Sequence, residues 1–224
     1  MLLNINKPSG ITSHDVVDEV RKITGERRVG HAGTLDPFAT GVLVIGVGRE
    51  STKKLGDISK NSEKEYITTL ELGKISDTGD PTGKIRNTNT EILNNLEIRN
   101  SKLEIESLIK TLKSFEGRIM QRPPKFSAIK IKGEPAYKKA RRGEEFEIPE
   151  REVEIKEIEV MKYISPPHLK IRIVCGSGTY IRSLARDIGE ALGTGAYLTE
   201  LTRTRVGNFK LENSKTLEEL EESL

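Results

Sequence analysis

The stretch Gly30-His31-Ala32-Gly33-Thr34-Leu35-Asp36-Pro37 constrains this chain more than any other. Its two glycines permit positive φ and close approach of another backbone. Pro37 fixes its own φ and pushes Asp36 out of the α region. A carboxylate held this way sits on a rigid, irregular turn and projects outward. The same pair also suits a helix start, with Asp36 as N-cap and Pro37 at the first helical position. The octapeptide alone leaves both readings open.

A chain of 224 residues can bury one sizeable core and holds one large or two small domains. With 34% hydrophobic and 32% charged residues, much of its surface must be charged. The net charge of +3 conceals an asymmetry: residues 212–224 carry five Glu and one Lys, and without them 36 basic face 29 acidic residues, a balance of +7. A basic body with an acidic tail points to a polyanionic partner. The single Cys175 excludes an intrachain disulfide and fits a reducing compartment. No signal peptide or membrane-spanning apolar run is evident, so a cytoplasmic, soluble protein is expected.

Along the chain, Met1 to Ile5 reads as a strand closed by a turn at residues 6–10. Ser13 reads as the cap of a helix with Val16, Val17, Val20 and Ile23 as its apolar stripe, ending near Gly25. Val42 to Val47 reads as a buried strand stopped by Gly48, followed by a helix from Ser51 to Ile58. Lys64 to Leu72 is strand-like by its β-branched content. Asp77 to Gly83 is a turn whose DxxD spacing invites a metal, but no third ligand stands at fixed spacing. A helix is expected from about Ser101 to Lys113, with Leu103, Leu108 and Leu112 inward.

Residues 118–142 hold nine basic side chains against one acid, Glu134. They are Arg118, Arg122, Lys125, Lys130, Lys132, Lys138, Lys139, Arg141 and Arg142. Pro123-Pro124 and Gly133 interrupt regular structure. A solvated charged loop would need less bias than this, and phosphate contacts account for it better. If about five of these charges met single-stranded RNA, log K would fall with log[salt] at a slope of roughly −3.5.

Arg151 to Tyr163 and His168 to Cys175 read as partner strands around a Pro166-Pro167 turn. Gly176-Ser177-Gly178-Thr179 leads into a helix from Tyr180 to Leu192, a weak anion-cradle signal. Arg182 falls in that helix's first turn, where the macrodipole disfavours a cation, so it requires an anionic partner. A last strand, Ala196 to Val206, precedes an acidic helix from Thr216. Many consecutive strands among helices make an α+β fold with a largely antiparallel mixed sheet.

Residues 31–43, His-Ala-Gly-Thr-Leu-Asp-Pro-Phe-Ala-Thr-Gly-Val-Leu, resemble the catalytic motif of the TruB family of tRNA pseudouridine synthases. Three further segments match that family in order. They are Lys7-Pro8-Ser9-Gly10-Ile11-Thr12-Ser13; Lys64-Glu65-Tyr66 with Leu72-Gly73 and Asp77-Thr78-Gly79-Asp80; and Gly178-Thr179-Tyr180-Ile181-Arg182 continuing to Gly193. Four ordered matches over residues 1–209 make the resemblance specific.

The resemblance implies the pseudouridine synthase fold, a catalytic domain over 1–211 with a basic thumb-like insertion at 118–151, and an acidic tail at 212–224. It implies isomerisation of uridine 55 in the T arm of tRNA: base flipping, cleavage of the bond from ribose to N1, rotation of the uracil and rejoining through C5. Asp36 would be the carboxylate near the anomeric carbon, as in glycosidases. It would attack C1′ or take a proton from C2′. Arg182 would pair with Asp36 and hold it ionised. Tyr66 would stack on the uracil and help remove the C5 proton.

His31 would fill the space vacated by flipped nucleotides, whose unstacking costs a few kcal/mol. Tyr180 and Leu201 would line the uracil pocket, with core packing as their alternative. Lys7 would support the first turn, with phosphate contact as the lesser role. Lys130, Arg141 and Arg142 would clamp the T arm. The reaction needs neither metal nor organic cofactor, and no obligatory protein partner or membrane is implied.

Two departures stand out. The PUA-type domain that most members carry is expected to be absent, and Thr202 stands where a second basic residue is usual. The alternatives are a guide-RNA-dependent, dyskerin-like synthase and a non-catalytic tRNA-folding module.

Overall fold

Strand β3 shows why the first 68 residues fold as they do. The computed structural model describes residues 1–88, 102–164 and 167–223. Its elements run β1 (Leu2–Lys7), α1 (Ser13–Thr24), β2 (Val29–His31), β3 (Thr40–Val47), α2 (Arg49–Asn61), β4 (Lys64–Leu72), β5 (Lys74–Ser76) and β6 (Ile85–Asn87). There follow α3 (Lys102–Lys113), β7 (Gly117–Gln121), β8 (Lys130–Ile131), β9 (Glu134–Pro135), α4 (Ala136–Arg141), β10 (Arg151–Ile164) and β11 (His168–Cys175). The chain closes with α5 (Ile181–Ala191), β12 (Ala196–Val206), β13 (Phe209–Lys210), a 3-10 turn at Leu211–Asn213 and α6 (Leu217–Glu222).

The largest sheet orders its strands β1-β3-β12-β4-β11-β10-β7, with β2 paired to β3 and β13 to β12. The β1–β3, β2–β3, β12–β13 and β10–β7 pairs are antiparallel and β12–β3 is parallel. This is the mixed, largely antiparallel sheet that the sequence implies. The chain divides into two compact units, one of residues 1–68, 172–177 and 200–224, the other of residues 69–171 and 178–199.

In the first unit β3 is buried on both faces, which explains its unbroken apolar run. Leu43, Ile45 and Val47 join Val16, Val17 and Val20 of α1 and Leu220 of α6 in one cluster. Val42 and Val44 join Leu55 of α2 and Val206 in another. The N-cap of α1 is Thr12 rather than Ser13: Thr12 and Asp15 form a capping box, which frees the Ser13 hydroxyl for other work. Gly25 ends α1 at φ 67°, as expected. Strand β1 continues to Lys7, past the expected turn at Asn6, because β3 pairs with it as far as Lys7↔Gly41. Helix α2 starts directly after Gly48 and runs longer than the sequence suggests.

In the second unit the β10–β7 pair carries the start of the basic segment. That segment continues through the two-residue strands β8 and β9 into α4. Leu108 and Leu112 of α3 are buried as expected. Ser101, the Leu103 side chain and Pro166 lie outside the described residues. Helix α6 begins at a second capping box, Thr216 with Glu219.

Candidate active site

The Asp36 turn is held carbonyl by carbonyl. No helix starts at Pro37; the Ala39 N–H donates to the Asp36 carbonyl at 3.1 Å and closes a tight turn. The carbonyls from Leu35 to Ala39 each accept a bond. Leu35 accepts from the Ser13 hydroxyl (3.0 Å), whose oxygen in turn accepts the Leu35 N–H (2.8 Å). Pro37 accepts from the Gly10 N–H (2.8 Å) and the Lys7 ammonium (3.1 Å). Phe38 accepts from the Ser9 hydroxyl (2.9 Å), and Ala39 from Lys7 (2.7 Å). The first family-like segment, residues 7–13, is therefore the brace of the second.

Lys7 is fully buried, and its third bond goes to the Pro8 carbonyl (2.7 Å). Burial pulls its pKa down from 10.5 to about 8, while the negative charge of Asp36 works against that fall. Here Lys7 is a clamp on the turn, with its ammonium occupied by protein carbonyls.

Tyr66 of β4 is buried in the same unit. Burial raises its phenol pKa, and the Arg203 charge opposes that rise. Arg203 of β12 is among the largest fully buried side chains, and no motif in the sequence singles it out. Its Nε donates to the Val42 carbonyl (2.8 Å) and its Nη2 to the Gly33 carbonyl (3.0 Å). Gly41, at φ +102°, lets β12 come this close: a Cβ there would lie 2.3 Å from the Arg203 carbonyl oxygen. Leu201, two residues earlier on β12, is also buried.

Thr202 turns its hydroxyl to that of Thr40, 2.9 Å away. His31 ends β2. Its Nδ1 is buried without a hydrogen-bond partner among the described residues. Burial, then the Arg203 charge, lowers its pKa, so the imidazole is neutral at neutral pH.

The second unit holds Arg182 and Tyr180. Arg182 is buried in the first turn of α5 and donates to the carbonyls of Thr78 and Phe126, each at 2.9 Å. An anion also stands near it: the Asp80 carboxylate, 3.5 Å from Nη1. Asp80 is thus occupied as a structural carboxylate. Its Oδ1 accepts from the Thr78 hydroxyl (2.8 Å) and from the N–H and hydroxyl of Thr82 (3.0 and 2.5 Å). No cluster of metal-ligating side chains occurs among the described residues. Tyr180 caps α5 from outside; its N–H donates to Gln121 Oε1 (2.8 Å), and its ring carries the Arg151 guanidinium 4.9 Å from the centroid.

Four of the nine basic side chains in 118–142 face carboxylates. Arg118 meets Glu152, Arg122 meets Glu150, and Lys139 and Arg142 share Glu134 and Glu144. The Arg142 fork on Glu134, at 2.6 and 2.8 Å, holds that carboxyl near 2. Lys125, Lys130, Lys132, Lys138 and Arg141 make no ion pair among the described residues; Arg141 lies over the Tyr137 ring.

The comparisons agree with these motifs. Residues 21–181 match the TruB family pseudouridylate synthase N-terminal domain, and residues 182–224 the tRNA pseudouridylate synthase B C-terminal domain. The chain is 47% identical over 231 residues to tRNA pseudouridine synthase B of Streptomyces coelicolor, covering 100% of this chain and 73% of the relative. To the Clostridium tetani protein of the same name it is 46% identical, with 99% and 72% covered. Among solved structures it resembles a chain of a Cbf5-Nop10-Gar1 complex, with TM-score 0.71, 33% identity and 99% of this chain covered. It spans 53% of that longer chain. A second neighbour comes from an H/ACA RNP bound to a substrate RNA containing 2′-deoxyuridine, with TM-score 0.68, 31% identity, and 99% of this chain and 52% of that chain covered.

Proposed function

This chain belongs to the TruB family of pseudouridylate synthases, and on that premise we propose that it converts uridine 55 in the T arm of tRNA to pseudouridine. The observation that carries the reading is the turn bearing Asp36, whose five successive carbonyls are all held while its carboxylate is presented by a fixed backbone. Such rigidity is what a nucleophile or base aimed at one sugar carbon requires. Asp36 opens the glycosidic bond, by attack at C1′ or removal of the C2′ proton. Arg182 pairs with Asp36 and keeps it ionised. Tyr66 stacks on the detached uracil, and with rotation complete helps carry away the C5 proton.

His31, neutral and half-buried, takes the place of flipped nucleotides. Tyr180 and Leu201 line the base pocket. Lys7 acts on the turn, and Lys130 and Arg141 clamp the T arm, while Arg142 stiffens α4 through Glu134 and Glu144. No bond made here calls for an electron or a water molecule, so the side chains alone suffice for the chemistry. The two relatives named tRNA pseudouridine synthase B favour a free tRNA substrate over guide-dependent action.

The test is incubation of an unmodified tRNA transcript with the protein alone, followed by mass-spectrometric mapping. A single pseudouridine at position 55, lost when that uridine is replaced by cytidine, is expected. A transcript that stays unmodified, or is modified elsewhere, overturns the assignment.

A further inference from the structure

The basic segment hangs from one residue pair. The chain leaves the largest sheet after Gln121, the last residue of β7, and re-enters it at Arg151, the first of β10. These two residues face each other across the β7–β10 ladder. Both also hold the same neighbour, Tyr180. Gln121 Oε1 accepts the Tyr180 N–H at 2.8 Å, and the Arg151 guanidinium lies 4.9 Å from the centre of the Tyr180 ring. Arg151 Nη2 donates as well to the carbonyl of Gly178, two residues earlier. Gln121 is fully buried, yet its Nε2 has no hydrogen-bond partner among the described residues. A buried amide that leaves a donor unmatched costs stability, and a chain selected for stability alone would favour an apolar residue here. The work of its oxygen at Tyr180 accounts for the amide.

We propose that Gln121 and Arg151 are positioning residues that set Tyr180 for the flipped base, Gln121 through its backbone and Arg151 through its ring. This deepens the pseudouridine synthase reading above and rests on the place it gives Tyr180 in the base pocket. A half-buried aromatic side chain keeps its torsional freedom unless a neighbour restrains it. The guanidinium is that neighbour: its charge is drawn to the electron-rich face of the ring while Nη2 stays tied to Gly178. A lysine ammonium, a point charge on a flexible stem, gives up one of the two contacts. The basic segment has further anchors beyond this pair. Arg122 meets Glu150, and the Arg122 carbonyl accepts from the Ser183 hydroxyl (2.7 Å) and from Arg186 (3.2 Å), both on α5. The segment therefore keeps its seat when the pair is altered.

The experiment compares the full chain with Arg151→Met, Gln121→Met, Tyr180→Leu and the two double variants that join either methionine to Tyr180→Leu. It reads thermal unfolding, tRNA Kd and the single-turnover rate of pseudouridine formation at saturating transcript. Arg151→Met and Gln121→Met are each expected to bind tRNA within about threefold of the parent while the rate falls by about tenfold or more. In the Tyr180→Leu background each substitution is expected to cost at least about threefold less, because the ring it places is already gone. A parental rate in either methionine variant, or costs that multiply independently of Tyr180, overturns the inference.

A fall in unfolding temperature with an unchanged rate also overturns it, since a merely structural pair behaves so. If Tyr180→Leu keeps the parental rate, the place of Tyr180 in the base pocket fails instead, and the two failures are distinguishable. Should a methionine variant not fold, tyrosine-labelled NMR of Arg151→Lys, which keeps a cation at the site, decides. The Tyr180 ring resonances, identified by their loss in Tyr180→Leu, are expected to shift and broaden in Arg151→Lys, and unchanged resonances refute the link.

Discussion

Replacing Lys7 by Met removes the ammonium and keeps most of the stem volume. Three carbonyls lose a donor: those of Pro8, Pro37 and Ala39. Pro37 keeps its bond from Gly10, and Pro8 is exposed enough to turn to water. Ala39 is fully buried, so its carbonyl bears the main loss, about 1–3 kcal/mol for an orphaned buried acceptor. Relief of the buried charge offsets part of this.

A net loss of about 1–2 kcal/mol lowers the unfolding temperature by roughly 2–8 °C in a chain of this size. Activity should fall further, because a displacement of about 1 Å in the turn costs roughly 100-fold in rate. Single-turnover assays on tRNA transcripts, alongside thermal scans, measure both. Lys7→Met with the parental rate and the parental unfolding temperature would refute the claim that this side chain holds the turn.

Further outcomes follow from the same geometry. The folded protein holds Lys7 near 8 against 10.5 in a free lysine, so between those pH values the unfolded chain binds more protons. Stability from this group therefore rises as pH climbs from about 8 to 10.5, and Lys7→Met should flatten that rise in pH-dependent unfolding scans. Binding of a T-arm hairpin, part duplex and part single strand, should weaken with salt at a slope of roughly −3.5 to −4.5 if the five basic side chains outside ion pairs each meet a phosphate. A flat titration removes that segment from the binding account. Ser13→Ala should slow turnover and cost about 1–2 kcal/mol, since it strips both the donor to and the acceptor from Leu35; an unchanged rate contradicts its place in the brace.

The strands legible in the sequence were those whose composition meets a single demand. β3 is apolar throughout because both faces are covered, β4 is rich in β-branched residues, and the glycines at 25 and 48 mark true element ends. What stayed hidden was pairwise. Ser13 looks like a cap on local grounds, yet Thr12 caps the helix and Ser13 reaches Leu35, 22 residues away. Asp80 looks like half of a metal motif, and instead faces Arg182 across 102 residues of chain.

On β12 the motif marks Thr202, for the basic side chain it lacks, while its neighbour Arg203 holds the loop. One signal was available. An arginine following Leu201 by two residues shares its strand face, so a charge was bound to lie on the buried side.

If the Asp36 carboxylate opens the glycosidic bond, release of tritium from a tRNA transcript labelled at C5 of its uridines reports it most directly. The parent protein should release the label of uridine 55 and no other, while Asp36→Asn should release none and still bind the transcript within a few-fold. Tritium release by Asp36→Asn at the parental rate would contradict the account.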